Sequence, residues 1–291
     1  MYRHMKKTIC LLILLAAIYS CDAQDTMKNW NFSVGANFTT VPTLAVSGTD
    51  TAYNNSLSVA PFITIRNKNG IGLTYSPKLV AGGSAPGIYM HELTLGIESY
   101  DKKKLDYFVD LSHYFFTGNK SIPYTPINNE LYSSLTYKKS AVRPMLALGV
   151  GFGSLQQGTV KNTVSDVSLT GGISHIFRKE KNGADLALIP ALRLNAGTND
   201  YFSLMHSSPY ISANKNFKKL MHKKKGNTVI TPNTTVSKGN FILNNIEPAL
   251  QASYEKGNLS IRPELALAIP VFSNADNGIS FLWQLEARYD F

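Results

Sequence analysis

The chain has 291 residues, of which 44% are hydrophobic and 16% are charged, and its formal net charge is +10. After residue 23, no stretch approaches the ~18 consecutive apolar residues that a membrane-spanning helix needs, which excludes a helical membrane protein. Both cysteines, Cys10 and Cys21, lie within the first 23 residues, so the rest of the chain has no disulfides and no cysteine ligands or nucleophiles.

Residues 1–23 have the layout of a secretory signal peptide. A basic start precedes an apolar run over 9–19, and the small residue Ala23 ends the segment. The run is too short to span a bilayer, so we expect cleavage after Ala23 and export of residues 24–291. An alternative reading is a lipoprotein signal in which Cys21 is retained and acylated.

The remaining sequence repeats runs of about ten to fifteen residues in which apolar and polar side chains alternate. Clusters of Gly, Asn, Asp and Lys separate the runs, as turns separate antiparallel strands. We predict strands near 29–40, 56–66, 70–80, 88–100, 104–116, 130–138, 141–154, 165–178, 184–196, 241–255, 258–271 and 279–291. Twelve is an even number, as a closed antiparallel barrel with both termini on one side requires.

The predicted connections alternate between short and long. The short, charged turns are 67–69, 101–103, 139–140, 179–183 and 256–257. The longer or more polar ones are 41–55, 81–87, 117–129, 155–164, 197–240 and 272–278. Because bacterial transmembrane barrels have short periplasmic turns and long extracellular loops, this alternation places both termini in the periplasm.

The longest predicted loop, 197–240, carries most of the excess positive charge. It contains seven lysines and a single acid, Asp200. Five of the lysines cluster: Lys218, Lys219, Lys223, Lys224 and Lys225. On an extracellular loop they are expected to stay solvated or to attract an anionic solute or surface polysaccharide. Because the rest of the chain is nearly balanced in charge, we predict no nucleic-acid partner.

Aromatic residues on the outward parity form two predicted girdles. Near the periplasmic ends lie Trp30, Tyr107, Tyr137, Phe177, Tyr254 and Tyr289, and near the extracellular ends lie Phe38, Tyr89, Phe115, Phe152 and Phe281. Strands that carry both members space them by eight residues. At a tilt of about 40° that spacing climbs on the order of 21 Å, close to the ~25 Å apolar band of transmembrane barrels.

The last eleven residues alternate strictly and end on an aromatic residue. Their apolar face includes Trp283, Leu285, Tyr289 and Phe291. This segment resembles the terminal assembly signal of Gram-negative outer-membrane β-barrels, in which the final strand closes the barrel and the insertion machinery reads its terminal aromatic residue. The resemblance implies a porin-like barrel of no specified subfamily, located in the outer membrane, with outer-membrane lipid and the barrel-assembly machinery as partners.

Charges of both signs fall on the inward parity near the predicted periplasmic ends. They are Arg66, Glu98, Asp106, Arg143, Arg178, Asp185, Arg262, Glu264, Glu286 and Arg288. Such a layer either braces a narrow lumen or forms a selectivity constriction. If Glu98 and Asp106 face each other across their hairpin, these like charges need counter-charges. We expect Arg143 and Arg262 to supply the counter-charges of Glu98, Asp106 and Glu264.

We predict no catalytic, cofactor-binding or metal-binding residues. Ser112 and Ser174 each precede a histidine, but sequence neighbours in a strand point to opposite faces and cannot pair as nucleophile and base. His91 and His113 are expected as cross-strand partners on the lipid face, too sparse for a metal site. An outer-membrane lipid hydrolase therefore ranks below the non-enzymatic functions.

The sequence thus predicts one all-β domain over 24–291, a transmembrane antiparallel up-and-down β-barrel of about twelve strands. The leading functional hypothesis is a narrow channel or gated pore for small solutes, with anions favoured. The alternative is a non-conducting barrel that acts as an envelope-complex scaffold or presents the 197–240 loop to a partner.

Overall fold

A computed structural model describes residues 29–47, 50–82, 85–99, 104–119, 122, 125–157, 160–198, 241–271 and 279–291. Thirteen strands run through these residues: β1 Trp30–Ser47, β2 Asp50–Asn67, β3 Ile71–Val80, β4 Gly87–Ser99, β5 Leu105–Phe116, β6 Ile127–Tyr137, β7 Arg143–Gln157, β8 Val160–Ser174, β9 Phe177–Lys181, β10 Ala184–Gly197, β11 Ile242–Lys256, β12 Leu259–Pro270 and β13 Ser280–Asp290. Among the described residues there is no helix with the length and apolar composition needed to cross a bilayer. The expected leader and the cluster of loop lysines lie outside the described residues.

The strands form one antiparallel sheet that closes on itself. Every strand except β8 pairs with its successor, and β13 pairs with β1 to close the ring. Strands β8 and β9 both pair with β10, so they occupy a single place in the wall. The described chain therefore has twelve wall positions, which confirms the predicted barrel.

Most residues of two predicted loops belong to strands that pair with each other. Strands β1 and β2 continue to Ser47 and Asp50, and β7 and β8 continue to Gln157 and Val160. The prediction of loops over 41–55 and 155–164 is therefore wrong. Alternation of apolar and polar residues identifies a strand where one of its faces meets an apolar environment. A strand that continues beyond the apolar environment keeps its backbone hydrogen bonds but loses the alternation.

The β9–β10 turn is shorter than predicted. The predicted turn of 179–183 reduces to Asn182 and Gly183, whose φ angles are 53° and 72°. Two consecutive residues with positive φ form the tight hairpin turn that matches strand twist, and an Asn-Gly pair favours it. The three residues before this turn extend β9 instead.

The outer face of the barrel is apolar, whereas its buried inner face carries many polar side chains besides apolar ones. Leu95, Leu111 and Leu146 on the outer face are 55%, 47% and 52% exposed, whereas Thr94 and Ser112 on the inner face are fully buried. Exposed leucines on a complete outer face are stable in lipid, and the closed ladder leaves no backbone edge for lipid to meet. We conclude that this barrel spans a membrane.

One member of the extracellular aromatic girdle was assigned to the wrong face. Tyr89 is 3% exposed, and its hydroxyl lies 3.2 Å from Ser58 Oγ. The β3–β4 register shifts between Lys78 and Leu79, which leaves Tyr89 as the extra residue of a β-bulge. A bulge moves the side-chain parity by one residue, so Tyr89 turns into the lumen.

The seam between the first and last strands is held by backbone and side-chain contacts at the chain end. The Phe291 amide donates to the Phe32 carbonyl at 2.8 Å, and the two rings lie 5.4 Å apart. The Phe291 ring also packs edge-on against Tyr289 at 5.0 Å. Beside them, the Ser33 hydroxyl donates to Asp290 Oδ1 at 2.5 Å. The terminal aromatic residue is thus part of the closure itself.

Deleting Phe291, or replacing it with Asp, is expected to reduce the heat-modifiable, membrane-inserted fraction, because the seam loses its terminal ring contacts. Gel mobility with and without heating, on membrane fractions and on refolded protein, measures that fraction. The control is Phe281→Asp, on the same face at the other end of β13, where no seam contact is lost. Equal insertion of wild type and both Phe291 variants would contradict a role in closure.

Candidate functional site

The inner wall of the barrel is lined by buried charges, most of them acidic. Of the charged side chains that are buried in the described chain, eight are acids and two are bases. They are Lys78, Glu92, Glu98, Asp110, Glu130, Asp166, Arg193, Glu247, Glu264 and Glu286. We call this set the acidic inner wall. Strand alternation alone brings it together, because each strand directs every second side chain inward.

Arg193 joins three neighbouring strands through two carboxylates. Its Nη1 donates to Glu264 Oε1 at 2.6 Å and to Glu247 Oε1 at 3.1 Å. The side chains of all three are at most 4% exposed. Gly172 on β8 gives the arginine stem its space, since a Cβ there would lie 3.2 Å from Arg193 Cγ. One cation shared by two carboxylates leaves this cluster with a formal charge of about −1.

Amides extend the Arg193 cluster along the wall. Asn195 Nδ2 donates to Glu247 Oε2 at 3.2 Å and to Asn245 Oδ1 at 2.8 Å. The Thr170 hydroxyl donates to Asn195 Oδ1 at 2.7 Å. Continuous hydrogen bonding therefore runs from β8 to β12, and it fixes the positions of the buried carboxylates.

A second ionic cluster lies on β3, β4 and β5. Lys78 Nζ is 2.8 Å from Glu92 Oε2, and both side chains are at most 2% exposed. The hydroxyls of Thr94 and Ser112 each lie 3.3 Å from the other carboxylate oxygen, Glu92 Oε1. Here the acid and base are matched one to one, so this cluster adds no net charge.

Aromatic and acidic residues share the wall between the two clusters. The Tyr114 hydroxyl donates to Glu130 Oε2 at 2.6 Å. Glu130 lies over Gly149 of the next strand, where a Cβ would stand 3.5 Å from Oε1. Phe108 and Tyr132 pack with ring centroids 6.3 Å apart, and Asp110 occupies the next inward position after Phe108.

The predicted periplasmic charge layer pairs along the wall. Arg66 forms an ion pair with Glu98, and Lys138 lies 2.5 Å from Asp106. The other rim pairs are Arg178 with Asp185 at 3.2 Å, Arg262 with Glu255 at 2.8 Å and with Glu286 at 3.8 Å, and Arg288 with Asp290 at 2.7 Å. Apart from Lys138, which directly follows β6, each pair links residues of the same strand or of strands at most two apart.

The partners within this layer differ from the expected ones. Glu98 is in register with Phe108, so Asp106 does not face it across the hairpin. Glu264 pairs with Arg193, not with Arg262, and Arg143 is partly exposed at the start of β7. Alternation predicts which face a residue occupies. It does not predict how far a long side chain reaches across neighbouring strands.

Sequence reasoning missed the acidic inner wall above the rim. Lys78, Glu92, Asp110, Glu130, Arg193 and Glu247 share the inward parity of residues that were predicted. Counting back by twos from Glu98 reaches Glu92, and counting forward from Asp106 reaches Asp110. The alternation that predicts the rim layer therefore also reaches these residues, which lie farther from the strand ends.

The two lipid-facing histidines do not pair with each other. His91 Nδ1 lies 2.8 Å from the Tyr75 hydroxyl, and His113 Nδ1 lies 2.7 Å from Asn129 Oδ1. In the β4–β5 register, His91 faces Phe115, so the prediction of direct cross-strand partners is wrong. Over the described ranges, no cluster of three or more potential ligands could hold a metal ion.

No protein-family model matches the sequence, and no curated protein matches it. The NanC porin is 8% identical with a TM-score of 0.42, over 89% of this chain and 98% of that one. An outer-membrane channel from Pseudomonas putida F1 is 10% identical with a TM-score of 0.42, over 90% and 96%. The translocator domain of the autotransporter NalP from Neisseria meningitidis is 11% identical with a TM-score of 0.37, over 98% of both chains.

Replacing Arg193 with Ala is expected to lower the free energy of unfolding by about 3 to 5 kcal/mol, because two buried carboxylates lose their shared cation. Urea unfolding of the refolded barrel measures this loss. The matched control is Arg178→Ala, whose side chain is 63% exposed in its pair with Asp185, and its loss should not exceed about 1 kcal/mol.

A triple variant separates lost charge balance from lost packing. Combining Arg193→Met, Glu247→Gln and Glu264→Gln removes all three buried charges and should recover most of the stability. Equal destabilisation by Arg193→Ala and Arg178→Ala would show that the buried cluster does not hold the wall.

Proposed function

We propose that the chain is an outer-membrane channel whose lumen favours small cations over anions. The observation that carries this proposal is the eight-to-two excess of acids among the buried charges of the described wall. Fixed charges of one sign in a narrow polar pore concentrate ions of the opposite sign and repel ions of the same sign.

Three features support the outer membrane as the location. The described barrel is closed, its outer face is apolar, and its last strand ends on an aromatic residue that contributes to closure. Closed barrels with this surface are the strand-built proteins of bacterial outer membranes. The same terminal strand is the segment that we propose the barrel-assembly machinery recognises.

The proposed solute is a cation, whereas the sequence-based hypothesis favoured an anion. Preference for anions rested on the lysines of 197–240, all of which lie outside the described residues. On the described inner wall, three arginines of the rim, Arg66, Arg262 and Arg288, are engaged by Glu98, Glu255, Glu286 and Asp290. Deeper in the wall, acids such as Asp110 and Glu130 outnumber the bases. These positions favour a cationic solute.

The depth of burial favours the alternative, a non-conducting barrel. Glu92, Glu130 and Arg193 are 1%, 0% and 3% exposed, so these inward side chains have little contact with water. A barrel filled in this way would serve as a scaffold in an envelope complex or as a surface-binding protein. A lipid hydrolase gains no support from the described residues, because Ser112 bonds Thr94 inside the wall while His113 faces outward.

Planar-bilayer recording under a salt gradient tests the channel and its charge preference. Wild type is expected to conduct with a reversal potential of the sign that indicates cation preference. The Asp110→Asn, Glu130→Gln variant should move the cation-to-anion permeability ratio towards one, because two acids leave the lumen. The control is Glu180→Gln, an exposed acid beside the β9–β10 turn, which should leave the ratio close to wild type.

Two results would contradict this proposal in different ways. Anion preference in wild type would overturn the assigned charge of the solute. Wild type and variants that are both electrically silent, with the heat-modifiable fold intact, would remove the channel and leave the scaffold.

Cysteine labelling tests the orientation of the barrel in the membrane. Ala81 is exposed directly after β3, and Asn258 is exposed in the turn between β11 and β12. Since long connections are expected outside, Ala81→Cys should react with an impermeant reagent on intact cells. Asn258→Cys should react after the outer membrane is opened. The reverse order would place the termini outside.

A further inference from the structure

Polar side chains interrupt the apolar outer face on four adjacent strands. They are Tyr75 on β3, His91 on β4, His113 on β5 and Asn129 on β6, which we call the imidazole patch. Exposed apolar neighbours surround it, with Leu93 39% exposed and Phe115 52% exposed. The patch therefore belongs to the surface that faces lipid, at the end of the barrel away from the short turns.

Both imidazoles are held by contacts within the wall. His91 Nδ1 lies 2.8 Å from the Tyr75 hydroxyl, with the two rings stacked at a centroid distance of 6.0 Å. His113 Nδ1 lies 2.7 Å from Asn129 Oδ1, and its ring stands edge-on to Phe115 at 4.3 Å. Each ring therefore uses its Nδ1 inside the protein, and Nε2 is the atom available to a ligand.

The strand register places the two histidines side by side. His91 is opposite Phe115, and Leu93 is opposite His113. The histidines are thus diagonal neighbours on adjacent strands, a relationship that separates residues by about 7 to 8 Å. That separation allows two imidazole edges to contact oxygen atoms of one tetrahedral oxyanion.

The charge of the patch depends on proton uptake by these rings. Asn129 Oδ1 is an acceptor, so His113 Nδ1 carries a hydrogen, and the neutral ring presents a lone pair at Nε2. Protonation converts that nitrogen into a charged donor, and protonated His91 likewise carries a hydrogen on Nε2. The outward positions of β3 to β6 hold no Asp, Glu, Lys or Arg, and the other titratable groups there are Tyr75, Tyr107 and Tyr137. Once protonated, the patch complements an anion.

We propose that the imidazole patch binds the phosphate of an anionic lipid headgroup. The surrounding face contacts lipid, so the anion available at this depth belongs to a lipid. Leu95 and Leu111, which are opposite each other in the ladder, lie below the patch and are 55% and 47% exposed. They are placed to contact the acyl chains of the same molecule, while the histidines donate charge-assisted hydrogen bonds to its phosphate.

Native mass spectrometry of the refolded full chain tests the proposal, with phosphatidylglycerol as the probe in a neutral detergent. Wild type should retain the lipid roughly tenfold more tightly at about pH 6 than at about pH 8, because protonation adds donors to the phosphate. The His91→Gln, His113→Gln variant should bind equally at both pH values. Its heat-modifiable band shows whether the barrel still folds.

His175 provides a matched control at the other end of the wall. Its Nδ1 is 2.6 Å from the Ala141 carbonyl oxygen, and its ring is edge-on to Phe177 at 4.5 Å. This nearly repeats the setting of His113 beside Phe115, but without a second imidazole on an adjacent described strand. His175→Gln should therefore keep the pH dependence of wild type.

Several outcomes would overturn the proposal. If His175→Gln lost the pH dependence of lipid binding as fully as the double variant does, any interfacial histidine would suffice. Full competition by inorganic phosphate at the same concentration would assign the site to a free anion. A wild type that dimerises while the double variant stays monomeric would make the patch an interface between copies of this chain.

Discussion

Closure of the backbone ladder is the constraint on which the rest of this structure depends. In hydrocarbon an unpaired amide or carbonyl has no water to bond, so a sheet can be stable there when its first and last strands pair. In this chain that pairing is the register of 33–39 on 284–290, reinforced by the contacts of Phe291 with Phe32 and Tyr289. Once the ring is closed, side-chain alternation assigns every second residue to lipid and the others to the lumen.

The lumen side of that assignment creates an electrostatic problem that the chain resolves locally. Buried carboxylates are costly unless cations or donors reach them. Lys78 serves Glu92, Arg193 serves both Glu247 and Glu264, and Tyr114 donates to Glu130. These contacts use side chains of the same or nearby strands, so these buried carboxylates find their partners locally along the described wall.

The fold was predictable to a large extent, because period-two alternation is read directly from sequence. Twelve strand positions, their order and the inward residues such as Arg66, Glu98 and Glu286 followed from it. Three kinds of feature did not follow. The bulge at Tyr89 reverses a face without changing composition, and the long arms of β1 and β2 lack the alternation that marks a lipid-facing strand. Ion-pair partners depend on side-chain reach, as Arg193 shows by extending over β11 to Glu264.

The overhanging strands give the mouth of the barrel a definite shape. Residues 50–57 of β2 lie beyond its last ladder partner on β3, and residues 160–167 of β8 lie beyond its last partner on β10. At about 3.3 Å per residue, the β1–β2 ribbon continues for roughly 26 Å along its strands. The β7–β8 ribbon is about half as long, because β7 keeps its partners on β6 as far as Gly153. In a ring of twelve positions these ribbons stand on opposite sides. Within the described residues, the rim therefore rises at two opposite places, more at β1–β2 than at β7–β8, and a bulky particle would meet these two ribbons before it reaches the described wall beside them.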